Sequence, residues 1–581
     1  MTQEFKLDLQ GIDISGPKAP KDPTKKRMLL YVMMDTPIEA SARKDSRPSQ
    51  EFYLDNRRII DMVKLASGFS DESIINLLGD CAGFHKLIHS IGVTVKSDVN
   101  PDGVVNFILQ NWGKTNIFET GTKLEISCPK DGTEVVFRLE DYSWKEEDDV
   151  VGKFGFEFDQ VGEMAVATVR LFLQDGYEVP EIIMEDPVNY NSADYKAMVS
   201  GSLLNLGNTY RLKKAIRKAE GGDEVTIAYI GGSITQGAGA KPINTGSYAY
   251  KSYQIFTELF GKDGGENIRL VKAGVGGTPS ELGMLRYERD VLRNGTVEPD
   301  IVIIEFAVND AGDETNGICF ESLCLKALNG PGNPAVVLLF SVFLNDWNLQ
   351  ERLAPIGFHY DLPMVSVKDA VVDQFMLSKD MGNVISKRQF FFDVYHPTND
   401  GHTVMADCLG YLFAAAEKAG DDQADVNLNQ APFLGNWFSE VQLIDRKEKT
   451  ELVKISEGSF SDTDLDLQAV EIDEDSGTTP QFPNNWMHSE GTGQEDFVLA
   501  ADCRSLLLIF KDSGSSAVGK ADIYVDGVYL KTLDPHEVNW THCNAVILFR
   551  EETKGKHEIR IRMSEGDQDK CFTILGFGIV R

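Results

Sequence analysis

The stretch "VTIAYIGGSITQGAGA" (residues 225–240) decides how this chain reads. β-Branched and aromatic residues dominate its first half, with no polar alternation, and it then breaks into two glycines and a serine. A short apolar run of this kind reads as a strand buried on both faces, as in a parallel sheet covered by helices. Glycine lets the backbone approach other groups closely. A hydroxyl just past the carboxyl end of such a strand lies in the crevice where open α/β sheets bind their ligands.

Outward from this point, strand and helix patterns alternate over residues 205–425. "YRLKKAIRKAEGG" carries an apolar stripe at Leu212, Ala215, Ile216 and Ala219 and stops at Gly221 and Gly222. Helical patterns follow in "SYAYKSYQIFTELFGK", "SELGMLRYERDVLRN" and "DGHTVMADCLGYLFAAAEKAG", and apolar strands in "IRLVKAG", "IVIIEFAV" and "AVVLLFSVFL". This alternation predicts a three-layer α/β domain with a parallel sheet. Residues 430–581 lack helical patterns and read as short strands between turns, a β-sandwich or jelly roll. Residues 1–204 read as a β-rich accessory domain with some helix, in "ESIINLLGDCAGFHKLIHS". The chain is therefore expected to be multidomain, in line with its 581 residues.

Three further stretches join Ser233. "AGVGGT" (residues 273–278) and "FAVND" (residues 306–310) each follow an apolar strand, and "FFDVYHPTNDGH" (residues 391–402) places Asp393 three residues before His396. A nucleophilic hydroxyl needs a base, and the base needs a carboxylate to hold its tautomer. Ser233, His396 and Asp393 supply that set. Donors must also face the position where an oxyanion forms. The N–H groups of Ser233 and Gly277 and the side chain of Asn309 supply those. Asp310 is read as a support for the Asn309 loop, and His402 as structural, with Asp400 capping the helix that follows.

Taken together, Ser233 in "GGSIT", Gly277 in "AGVGGT", Asn309 in "AVND" and the Asp393/His396 pair in "DVYH" resemble the four ordered motifs of the SGNH, or GDSL-type, hydrolases. Two positions depart from the family pattern. Gly232 stands where the family has an aspartate before the nucleophile, and Ala307 where it has a glycine. The "GGSIT" form is similar to a branch of bacterial esterases that remove acetyl groups from plant-polysaccharide oligosaccharides. In that branch a jelly-roll domain resembling a carbohydrate-binding module follows the catalytic domain. The resemblance implies a serine esterase acting on acetylated oligosaccharides of mannan or xylan type, with no metal and no organic cofactor. Two alternatives are an acyl-ester or thioester hydrolase acting on lipid-like groups, and a non-catalytic carbohydrate-binding protein.

The rest of the sequence sets bounds. A formal net charge of −33 disfavours nucleic acid and anionic membranes as partners and leaves a neutral sugar unaffected. A homo-oligomer is compatible with this composition. No apolar run is long enough for a membrane span. The first 27 residues read as lacking an export signal, and the eight cysteines form no CxxC pair, so a cytoplasmic location with reduced thiols is expected. The acidic run "SDTDLDLQAVEIDEDSG" (residues 461–477) reads as a solvated loop, with calcium binding the alternative. Trp347, Trp486 and Trp540 fit either sugar stacking or core packing.

Overall fold

The structure is a computed structural model that describes residues 27–43, 47–182, 184–422, 424–447, 453–475, 477–538 and 540–581. The export-signal reading therefore lies almost wholly outside the described residues. The chain divides into two compact units, one of Met1–Val188 with Lys387–Tyr395 and one of Asn189–Ser386 with His396–Arg581.

The first unit holds two four-stranded antiparallel sheets. Leu171, Val169 and Ile91 of one sheet and Phe107, Phe154 and Phe156 of the other are buried in one core, with Ile59, Ile60 and Val63 of the helix Arg58–Ser67. "MLLYVMM" falls largely in the opening strand, Leu29–Glu39. Phe392 from the returning segment joins the same core, its ring 5.2 Å from that of Phe52.

In the second unit a six-stranded sheet is built around Val225–Gly231, whose residues are all buried. This strand pairs in parallel with Ile268–Gly274 on one side and Ile301–Glu305 on the other. Ala335–Phe340 and Met364–Ser366 continue the parallel order. Leu203–Asn205 closes the edge antiparallel, so the sheet is mixed rather than wholly parallel as the sequence suggested. Helices connect the parallel strands, as such crossovers require. Tyr210–Gly221 ends on Gly222 in the left-handed region at φ 90°, a conformation that glycine adopts without the Cβ penalty.

Residues 442–580 form an eight-stranded, antiparallel sheet. "CNAVILFR" and "HEIRIRMS" prove to be one continuous strand, His542–Met563, paired with Phe497–Asp512. Leu507, Ile509, Cys543, Leu575 and Val580 share a core cluster with Leu282, Leu285 and Phe306 of the α/β layer. The six-stranded and eight-stranded sheets of this unit thus share a water-excluding interior.

Two expectations are corrected here. Trp486 is 1% exposed, packs edge-on against Phe497 at 5.4 Å and donates its indole N–H to Glu457 at 3.2 Å, so it is a core residue and no sugar platform. The acidic run is solvated only in part: Asp462, Leu465, Asp466, Glu474 and Asp475 are exposed, but other residues are tied to the fold. Leu467 and Val470 in it are buried, Asp464 pairs with Lys511 at 2.8 Å, and Asp473 accepts from the Lys272 N–H at 2.7 Å and from Arg293 at 2.8 Å. Cationic and backbone donors occupy these carboxylates, which removes the usual reason for a charge run to stay in water.

Arg286, on the helix Ser280–Asp290, is wholly buried. It donates to Gly231 O at 2.9 Å and Ala273 O at 2.7 Å, bridging the ends of two neighbouring strands. Arg286→Met should remove both bonds; Gly231 O keeps the Val275 N–H at 3.1 Å, so the expected loss is about 1.5–3 kcal/mol for the charged donor. A clear drop in the denaturant midpoint of the second unit is the expected outcome. An unchanged midpoint would show that the bridge contributes nothing.

Candidate active site

Register brings the motifs together. Gly231 lies opposite Gly274 on one side and Glu305 on the other, so the three strands end level and their loops leave from one edge of the sheet. The first loop turns at once into the short helix Ser233–Gln236, which ends on Gly237 at φ 109°. Ser233 is its first residue, a position whose N–H has no intrahelical acceptor.

The two glycines before Ser233 are required by close approach. A Cβ on Gly231 would collide with the Thr235 side chain and the Glu305 carbonyl, and one on Gly232 with the Asn309 amide. Below the turn, the Glu305 carboxyl accepts from Thr235 Oγ1 at 3.2 Å and from Ser341 Oγ. Burial pushes it up to about 7.

His396 is brought to Ser233, with Nε2 2.9 Å from Oγ. The loop on which it sits is tied to the turn after the serine. Lys241 N–H donates to Asn399 Oδ1 at 2.7 Å, and Asn399 Nδ2 returns a bond to Lys241 O at 2.8 Å. His402 accepts from Tyr248 N–H at Nδ1, 3.1 Å, and donates from Nε2 to Ala238 O, 3.1 Å. Burial drives its pKa down to about 3, which keeps this clasp neutral. Thr398, not Asp400, caps the helix Asn399–Lys418, by accepting from Gly401 N–H. Asp400 instead accepts from the Tyr190 hydroxyl at 2.7 Å. Asp393 falls in the segment Lys387–Tyr395, which packs with the amino-terminal unit, and its carboxylate accepts from Tyr395 N–H at 2.8 Å.

Gly277, at φ 71°, and Asn309 stand at the two adjacent loops. Asp310 fastens these loops to each other by accepting from Ser280 N–H at 2.8 Å and Ser280 Oγ at 2.7 Å. Burial pushes its carboxyl up to about 7. Trp540 is 43% exposed, and a Cβ on Gly277 would lie 3.0 Å from its ring, so the indole covers this loop. Trp347 is half-buried and stacks on Phe343 at 5.9 Å in the segment after Ala335–Phe340.

Sequence reasoning missed three residues that reach this edge from the β-rich region. Gln468 Nε2 donates to Gly276 O at 2.9 Å, His542 Nε2 to Gly277 O at 3.2 Å, and Glu471 accepts from Gln236 at 2.6 Å. None lies in a motif. Their positions follow from contacts between elements far apart in the chain, which local pattern does not carry.

The model of the GDSL-like lipase/acylhydrolase family matches residues 229–404, a span that contains Ser233, Gly277, Asn309, Asp393 and His396. No curated protein matches the chain. A solved structure of a two-domain esterase (CEX) active on acetylated mannans is 25% identical, with a TM-score of 0.56 over 66% of this chain and 99% of that one. A second, of a two-domain esterase (CEX) active on acetylated mannans co-crystallised with mannopentaose, is 26% identical with a TM-score of 0.55, over 66% of this chain and 98% of that one. Residues 229–404 thus match the GDSL-like lipase/acylhydrolase family, and the chain is a carboxylic ester hydrolase.

Proposed function

We propose that this enzyme removes O-acetyl groups from oligosaccharides derived from plant polysaccharides of mannan or xylan type. The observation that carries the reading is the 2.9 Å pair of Ser233 Oγ and His396 Nε2 at the strand edge where the Gly277 and Asn309 loops meet. The neighbouring esterases active on acetylated mannans favour mannan as the backbone.

Ser233 Oγ attacks the acetyl carbonyl while His396 Nε2 takes its proton. The oxyanion of the tetrahedral intermediate is met by the N–H groups of Ser233 and Gly277 and by the Asn309 amide, donors held in place before the charge appears. His396 then protonates the departing sugar oxygen. Water, deprotonated by the same imidazole, repeats the sequence on the acetyl-serine and releases acetate. Asp393 serves as the carboxylate that orients His396 and stabilises its charged form, a role supported by the three-residue spacing of the "DVYH" motif. Trp540, exposed beside Gly277, offers a flat face to a sugar ring.

Ser233→Ala should abolish turnover of p-nitrophenyl acetate, because the covalent step begins at that oxygen. Retention of a tenth of wild-type kcat would rule the serine out. Asn309→Ala should lower kcat about a hundred-fold, the cost of one oxyanion donor. An unchanged kcat would remove Asn309 from the hole.

Acyl length separates an acetylesterase from a lipid-type hydrolase. In this reading the acyl group enters beside the Gly277 loop, which Trp540 covers, and Asn309, which lies against Gly232. Each methylene beyond acetate forfeits about 0.8 kcal/mol of burial if it stays in water. Forcing it inside costs about 1–3 kcal/mol of overpacking. kcat/KM on p-nitrophenyl esters should fall steeply from acetate to butyrate and be negligible at octanoate. A profile rising toward octanoate contradicts the sugar-acetate reading.

A further inference from the structure

The Gly277 N–H belongs to the same planar peptide as the Gly276 carbonyl, and in a trans peptide the two point in opposite directions. Whatever holds Gly276 O therefore aims Gly277 N–H. That holder is Gln468, a residue of the β-rich region, through its 2.9 Å bond from Nε2. The amide has one orientation only, because Cys543 N–H donates to its Oε1 at 3.0 Å and leaves Nε2 to face the carbonyl. Gln468 is itself buried, and its backbone carbonyl is fixed by Gln481 N–H at 2.7 Å. A Cβ on Gly276 would lie 3.8 Å from both Gln468 Nε2 and Ser233 Cβ, so the glycine is close to the amide and to the serine alike.

The next carbonyl is held from the same side. Gly277 O can only accept, so His542 Nε2 carries the proton in their 3.2 Å bond. Burial lowers the pKa of His542 to about 4 and keeps it neutral. Two successive peptides of one loop are thus oriented from the β-rich region.

From this geometry we infer that Gln468 is a positioning residue for the oxyanion hole: by binding Gly276 O, it aims Gly277 N–H at the forming oxyanion, with His542 as the second anchor. The inference rests on the serine-esterase reading above. It makes the β-rich region part of the chemical step for every ester, including those that carry no sugar.

The test uses the full chain and p-nitrophenyl acetate. Gln468→Leu keeps the approximate shape and cannot donate. It should lower kcat about ten-fold or more with KM within two-fold, a part of what loss of a whole donor costs. Phenylboronic acid adds to a serine hydroxyl and places a tetrahedral oxygen in the same hole, so its affinity should fall by a similar factor. Gln468→Glu supplies a signature that general destabilisation does not. When protonated it donates to Gly276 O as the amide does, and when ionised it repels that carbonyl. The ratio of its kcat to that of wild type should therefore fall as pH rises.

A folded Gln468→Leu with kcat within two-fold of wild type overturns the proposal. So does a kcat loss with unchanged boronate affinity, or a Gln468→Glu ratio that is flat with pH. If Gln468→Leu does not fold, the Gln468→Glu ratio decides alone. Ser233→Ala run in parallel separates the two claims. Activity surviving there refutes the serine mechanism itself, whereas its loss beside an unaffected Gln468→Leu refutes only the positioning role.

Discussion

Parallel pairing of Val225–Gly231 with a strand on each side is the constraint on which the site depends. Because Gly231, Gly274 and Glu305 end level, three loops from separate parts of the chain leave the sheet at one edge. Pairing alone sets a strand's height, not a loop's path. The paths are fixed by buried polar clasps: Arg286 on the Gly231 and Ala273 carbonyls, Asp310 on Ser280, and His402 between Ala238 and Tyr248. Each buried donor or acceptor left without a partner would cost more than it gains when satisfied, so these clasps specify geometry more than they add stability.

The departures from the family pattern have a local cause at one position. Gly232 has no room for a side chain because the Asn309 amide lies against it. Ala307 is buried, and its carbonyl accepts from Leu349 N–H at 2.8 Å; nothing in the structure explains alanine over glycine there.

Much of the central layer was legible in the sequence because local pattern carried it. Apolar runs ended in glycines at Gly231 and Gly274, and helical stripes ended at Gly222. Ser233 and His396 were legible as types in ordered motifs, and they stand 2.9 Å apart. What stayed hidden depends on partners distant in sequence. Asp473 meets Arg293 and Asp464 meets Lys511, so a run that looked solvated is in part strapped down. Trp486 occupies an inward position of a short strand, which composition does not distinguish from an outward one. Gln468 and His542 are ordinary residues until the fold of the β-rich region places them on the Gly276–Gly277 loop. For the same reason, that sheet is better described as completing the catalytic layer than as a separate attachment, since both bury side chains in one core.

Mass spectrometry of acetylated mannan and xylan oligosaccharides, before and after treatment with the full chain, tests the central claim most directly. The account predicts that acetylated species give way to their deacetylated counterparts while the sugar chains keep their length, with free acetate released in equal amount. Oligosaccharide masses unchanged by an enzyme that still cleaves p-nitrophenyl acetate would contradict it.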